Sequence, residues 1–383
     1  MSVFDALVGQ GRAVETLARA VQDAALPSPG SAMTHAWLFT GPPGSGRSVA
    51  AGAFAAALVC SQGGCGHCPD CHTALLGTHS DVEHVATESM TISVERARLL
   101  VLEASTAPSV ARWRVIVLED ADRLTEAANN ALLKSLEEPT PHTVWLLCAP
   151  SMEDVLPTIR SRCRHVVLTT PKTSDVARHL VERDGVDEAM ASFAARASMG
   201  HIGRARGLAR DEQARITRAA TLSLPVNVAS LSAALLSARE LVDAATERGA
   251  ERTKSVDEVE RAELARGMGV ENPERPPKWA RSDFKRLKDG QDKRRKRATI
   301  DELDRDLQDL LAFYRDVLVV QVGGDVTLVN AEMRTNIEKV AGRCEPEMTM
   351  RAMEAILEAR EKITAYVTPL LAVEELALAL RAS

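Results

Sequence analysis

The sequence predicts an α/β unit built on a parallel sheet, followed by an all-helical remainder. Three observations predict it. Short apolar runs alternate with amphipathic helical runs between Ala36 and Val167. A glycine-rich loop separates the first apolar run from the helical run after it. Beyond Pro171 the strand signal fades and helical periodicity takes over. Strands joined by helical crossovers pair in parallel and are covered by helices on their faces.

The candidate strands are 36–39, 81–85, 114–118, 144–147 and 165–167, with helical stretches such as 48–59 and 125–137 between them. Two short helices follow at 173–183 and 186–199, separated by Gly185. From about Leu222 the chain reads as helix, broken by the turn or linker ENPERPPK at 271–278. The basic cluster KRRKR at 293–297, followed by acids between Asp301 and Asp309, reads first as a solvated charged helix with pairs at helical spacing. A phosphate-binding patch is the alternative.

Composition narrows the function. Apolar residues make up 45% of the 383 residues and aromatics only 3%, so the core is built from Ala, Leu and Val, which favours helix. A formal net charge of −6 argues against a nucleic-acid binder working by bulk electrostatics, so any DNA contact is local. No apolar run reaches the ~18 residues of a membrane span, and the first twenty residues do not read as a signal peptide. A cytoplasmic chain with mostly reduced cysteines is the expectation.

Gly41, Gly44, Gly46, Arg47 and Ser48 form a loop after a strand and before a helix, the context of a phosphate-binding loop. The glycines permit close backbone approach, and the helix N-terminus offers N–H groups to an anion. Arg47 stands where such loops carry lysine. A planar, forked guanidinium does not replace a compact ammonium. The loop therefore either binds nucleotide weakly or keeps only the shape. The strand at 114–118 ends in Glu119 and Asp120. A working ATPase places an Asp for Mg²⁺ and then a Glu for water here. The reversed order displaces each carboxylate by about one methylene, and catalytic positioning tolerates little error. Weak ATP/Mg²⁺ binding and none at all both stay open.

Cys60, Cys65, Cys68 and Cys71 have the spacing C-x4-C-x2-C-x2-C, with glycines between them. Four thiolates so spaced suit a closed, tetrahedral, structural Zn²⁺ site. An iron–sulfur cluster is the alternative. His67 and His72 read as surface histidines, and Cys148, Cys163 and Cys344 as small core residues.

These features, together with LVGQ at 7–10, HAWLF at 35–39, GTHSD at 77–81, NALLKSLEEP at 130–139 and Ser161-Arg162-Cys163, resemble bacterial clamp-loader subunits of the AAA+ class over roughly the first 210 residues. The resemblance implies a RecA-like AAA+ domain at 1–170 with a zinc module inserted at 60–71. A helical lid follows at 171–215 and a helical collar at 216–383. It implies a five-subunit ring that loads the sliding clamp on primed DNA. The implied partners are gamma/tau and delta subunits, the clamp, and primer–template DNA through backbone contacts. It also implies that Arg162 serves as an arginine finger in the ATP site of the adjacent subunit. Four departures from the ATP-hydrolysing gamma/tau pattern point to a largely non-hydrolysing member: Arg47, Glu119-Asp120, Ala149-Pro150, and Gly203 in the lid run GHIGRA. A gamma/tau-type motor is the alternative. A helicase-loader-like factor and a zinc-containing nucleic-acid module fit the motifs less well.

Overall fold

A computed structural model describes residues 2–87, 91–228, 230–365 and 367–382. The chain divides into two compact units, Met1–Arg210 and Asp211–Ser383. In the first unit, α1 (Gly11–Ala25) precedes β1 (Ala36–Thr40), α2 (Arg47–Val59) and α3 (Pro69–Leu75). Then come β2 (Val82–Val85), α4 (Val94–Ala104), β3 (Arg114–Leu118), α5 (Glu126–Glu137) and β4 (Thr143–Ala149). The unit closes with α6 (Pro157–Arg160), β5 (Arg164–Val167), α7 (Thr173–Asp184), α8 (Glu188–Ala197) and α9 (Ile202–Arg210). The five strands pair in parallel in the order β2-β3-β4-β1-β5.

Each expected strand is present, with shifts of one or two residues at the ends. The period of two is visible in the packing. Trp37, Phe39, Val115 and Val117 join the core on one face, and Leu38, Ile116 and Leu118 join the core on the other. Helix α2 is buried at every position from Ala50 to Val59. Its small side chains let it nest against the sheet, with Phe54 edge-on to Trp37 at 4.9 Å between ring centroids. This places the N-terminus of α2 directly after the end of β1.

Asp81, expected to begin a strand, does different work. Its fully buried carboxylate accepts N–H bonds from Ser109 (2.6 Å), Val110 (2.7 Å) and Ala111 (2.7 Å), fixing the loop before β3. Burial raises its proton affinity, but these N–H donors outweigh it and bring the carboxyl to about 2. Because the folded value lies below the ordinary 3.8, the carboxylate's stabilisation is complete above about pH 4 and is lost as pH falls towards 2. Asp81→Asn should therefore cost about 2 kcal/mol at neutral pH, with the gap to the natural protein narrowing below pH 4 in urea unfolding.

The second unit is all helical: α10 (Glu212–Asn227), α11 (Leu231–Met268), α12 (Arg281–Gln321), α13 (Arg334–Ala341), α14 (Pro346–Thr364) and α15 (Pro369–Ala382). Its core gathers Leu241, Leu307, Leu310, Phe313, Val317, Ile356 and Leu376 among others. Helices α11 and α12 form a hairpin whose turn contains the expected break at 271–278. At Gly249 a Cβ would lie 2.7 Å from the Thr299 backbone nitrogen, so the two helices approach at van der Waals distance there. Further along, the seam turns polar. Gln291 donates to the Asp257 carbonyl at 2.9 Å, and Arg294 binds Asp257 (2.8 Å) and Glu260 (2.6 Å).

Candidate functional site

The phosphate-type loop lies between β1 and α2, as expected. Gly44 and Gly46 take positive φ (84° and 89°), where a side chain would be strained. Gly46 is the N-cap of α2, and no side chain caps it, so the first N–H groups of the helix face the loop uncapped. The loop is held from two sides. Gln10, buried, donates to the carbonyls of Ser45 (3.2 Å) and Thr169 (2.6 Å) and accepts from the Thr169 N–H (3.2 Å). The Gly41 N–H donates to the Pro150 carbonyl at 3.1 Å, tying the loop to the end of β4.

Two features decide what the loop can do. Arg47, the first residue of α2, donates from Nη1 to the Gly41 carbonyl. The guanidinium is thus engaged within the loop, where a lysine would extend to phosphate. His201 packs over the loop so closely that a Cβ on Gly44 would lie 2.7 Å from the His201 Cβ. The His201 Nδ1 caps the Arg204 N–H at 3.2 Å and so belongs to the start of α9. Gly203, next to it, offers no cation.

The acidic strand end converges on the same place. Ser48 Oγ donates to Glu119 Oε2 at 3.0 Å, joining the two positions that hold Mg²⁺ in working phosphate-loop ATPases. Asp120 instead accepts from the Thr87 N–H at 3.3 Å and lies 3.7 Å from Arg123. Beneath them Cys148 is fully buried, and burial pushes its thiol far up, with Glu119 adding to the effect.

The four cysteines come together. Their ligand sulfurs lie within 4.8 Å of one another, so the cluster can hold a metal ion. Cys60 and Cys65 are 3.8 Å apart and Cys60 and Cys68 3.6 Å, close to the ~3.8 Å edge of a tetrahedron with metal–sulfur bonds of about 2.3 Å. Backbone N–H groups of Gln62 (3.3 Å), Gly66 (3.4 Å) and Cys71 (3.4 Å) point at Cys60, Cys71 and Cys68. Gly64 (φ 99°) makes the docking possible, since a Cβ would lie 2.8 Å from Val3 and 3.0 Å from Ala57. The Val3 N–H donates to the Gly64 carbonyl at 3.0 Å, fixing the cluster to the N-terminus and to α2.

Arg162 lies between α6 and β5. It pairs with Glu137 at the end of α5 and donates to the Thr158 carbonyl at 2.7 Å. Strand β5 runs parallel to β1 with Arg164 opposite Trp37 and Val167 opposite Thr40. Arg162 therefore sits before the start of β5, while the phosphate-type loop follows the end of β1. The paired strand length between them is about 10 Å. Arg162 and the chain's own loop lie at opposite ends of the sheet.

A family described as "DNA polymerase III, delta subunit" matches residues 11–172. Over that part, less than half of the chain, the sequence is similar to subunits of DNA polymerase III. Among curated relatives, the DNA polymerase III subunit delta' of Pseudomonas aeruginosa is 39% identical over 135 residues, covering 34% of this chain and 41% of that protein. The delta' subunit of Escherichia coli is 33% identical over 200 residues, covering 50% and 60%. The gamma/tau subunit of Mycobacterium tuberculosis is 34% identical over 178 residues, covering 44% and 31%. The chain thus spans between about a third and three fifths of these relatives' lengths.

Two residues that hold or cover the loop are not marked as such by the sequence. Gln10 and His201 appeared only inside longer runs. The signal for Gln10 is a polar side chain just before an amphipathic helix. For His201 it is a ring between Gly200 and the first residue of α9, Ile202. Neither signal names the loop as the partner.

Proposed function

We propose that this chain is a delta-prime-type subunit of the clamp loader, one that hydrolyses little or no ATP and acts on a neighbour through Arg162. The observation that carries the reading is Arg47, whose guanidinium is engaged by the Gly41 carbonyl inside the phosphate-type loop. Gly203 and Ala149-Pro150 add no charge or polar side chain in place of gamma/tau's sensor residues. Arg162, remote from that loop and partly exposed, is free to enter another subunit's ATP site after exchanging its Glu137 contact. A guanidinium supplied in trans stabilises the charge that develops on the transferring phosphoryl group.

In this reading 1–170 is the AAA+ domain, 171–215 the lid and 216–383 the collar that packs in the ring. The partners are gamma/tau and delta subunits, the sliding clamp and primer–template DNA, the last through sequence-independent, salt-sensitive backbone contacts. The cysteine cluster holds Zn²⁺ and keeps the 60–71 loop docked on α2. The convergence of Ser48 and Glu119 favours the second reading, a gamma/tau-type motor. The experiment that separates them is a reconstituted loader carrying either Arg162→Ala or Arg47→Ala. The stator reading expects loss of clamp loading from the first and normal loading from the second. The motor reading expects a defect from Arg47→Ala.

A further inference from the structure

In the second unit, α10, α12, α13 and α15 converge on a cavity of about 200 Å³. Pro225, Val228, Val340 and Leu380 are buried side chains of its wall. Its polar side chains are Tyr314, Cys344, Arg343 and Arg381, and no carboxylate among the described residues lines it. Tyr314 is only 2% exposed, yet its hydroxyl has no hydrogen-bond partner among the described residues. Burial, with the Cys344 thiol adding to it, holds the phenol well above its ordinary pKa, so the hydroxyl stays a donor. A buried hydroxyl is costly unless a partner completes it. The Cys344 thiol is not that partner's rival, since it lies 3.5 Å from the Val340 carbonyl and is engaged there. Arg343 and Arg381 are exposed and form no ion pair among the described residues. Lys339 and Val340 stand one turn before Arg343, and Ala377 and Leu378 one turn before Arg381, so neither guanidinium has a carboxylate behind it at helical spacing. Glu345 and Glu347 follow Arg343 but are exposed and do not line the cavity. The turn that carries Arg343 is fixed from α12: Gln321 Nε2 donates to the Cys344 carbonyl at 2.6 Å, and Gln321 Oε1 accepts from the Thr349 hydroxyl at 2.9 Å.

We propose that this cavity binds a small organic carboxylate whose apolar body is about the size of a benzene ring. Size sets the body: a cavity of about 150 Å³ holds benzene, and the extra space here admits a short acid group. Charge sets the acid. The planar forks of Arg343 and Arg381 match a carboxylate, and the Tyr314 hydroxyl supplies a further donor. The apolar walls disfavour a bare inorganic phosphate, whose hydrated oxygens they would strip of water without replacing it.

Titration calorimetry of the full chain with phenylacetate, beside acetate, inorganic phosphate and 2-phenylethanol, tests both halves of the ligand. Phenylacetate should bind once per chain, at least about 10-fold more tightly than acetate or phosphate, which lack the body, and than 2-phenylethanol, which lacks the charge. Changing Arg343 and Arg381 together to Gln should weaken phenylacetate by about 10-fold or more. Both side chains are exposed, so the variant should melt with the natural chain. Tyr314→Phe should also weaken binding by about 10-fold, with an equal or higher melting temperature, because it deletes a hydroxyl that no protein group satisfies. A ring that only packs would leave affinity unchanged in that variant. The absence of saturable phenylacetate binding to the natural chain overturns the proposal. Equal affinity for acetate or phosphate also overturns it and makes the two arginines a general anion surface. Binding that survives both variants places the ligand elsewhere and overturns it too.

Discussion

Replacing Arg162 with Ala should lower ATP hydrolysis at the adjacent gamma/tau site by about 10³-fold or more in a reconstituted loader, and clamp loading with it. The argument combines position and cost. Position: Arg162 precedes β5 and the chain's own phosphate-type loop follows β1, so the strand pairing keeps the two apart. Cost: Arg162 is partly exposed, and its pairing with Glu137 belongs to a class of contact that contributes at most about 1 kcal/mol. The variant should therefore fold and assemble normally while losing rate. A rate loss with intact assembly separates the role in trans from a structural one. Single-turnover clamp loading is the sensitive readout, because ATP sites that Arg162 does not serve continue to turn over in the variant. Loading at the natural rate by the Arg162→Ala complex would remove the proposed role.

Removing the metal should have the largest effect on stability. The Cys60–Cys71 loop contains little apolar surface of its own, yet it is docked on Val3 and Ala57 through Gly64. Its conformation depends on four sulfurs being held together. Binding of a metal to the folded state alone stabilises by about 4 kcal/mol at a thousandfold excess over Kd. Chelation, or Cys68→Ser, should thus lower the melting temperature of the first unit by about 10 °C, at 2–4 °C per kcal/mol for a unit of this size. Elemental analysis should return one zinc per chain. Equal melting with and without metal would contradict a structural ion. Iron with visible absorption would replace zinc by the cluster alternative.

What the sequence reveals and what it hides have distinct physical causes. The five strands were legible because burial on both faces of a covered sheet writes continuous apolar runs, as at 36–39 and 114–118. The cysteine cluster was legible because its ligands are close in the chain, so spacing stands in for geometry. The loop between β1 and α2 was legible from its glycines for the same reason. Gln10 and His201 were not, because their partners lie far away in sequence: Thr169 for Gln10, and Gly44 for His201. Asp81 was read as a strand residue because nothing local distinguishes a buried loop anchor from the end of a strand. The hairpin was the hardest element. Its seam is apolar near Leu241 and polar near Asp257, Gln291 and Arg294, so no single hydrophobic stripe marks its length. In the charged stretch Arg286 with Asp283 and Arg297 with Asp301 pair at helical spacing, as the solvated-helix reading expects, whereas Arg294 pairs across the seam with Asp257.

The most direct measurement for the account is equilibrium binding of ATP with Mg²⁺ to the isolated chain, beside the Arg47→Lys variant. With Arg47 engaged by Gly41 and no cation at Gly203, the natural chain should show no saturable binding at millimolar ATP. Arg47→Lys should gain affinity without gaining turnover. Micromolar binding and hydrolysis by the natural chain would contradict a subunit that acts only through its neighbour.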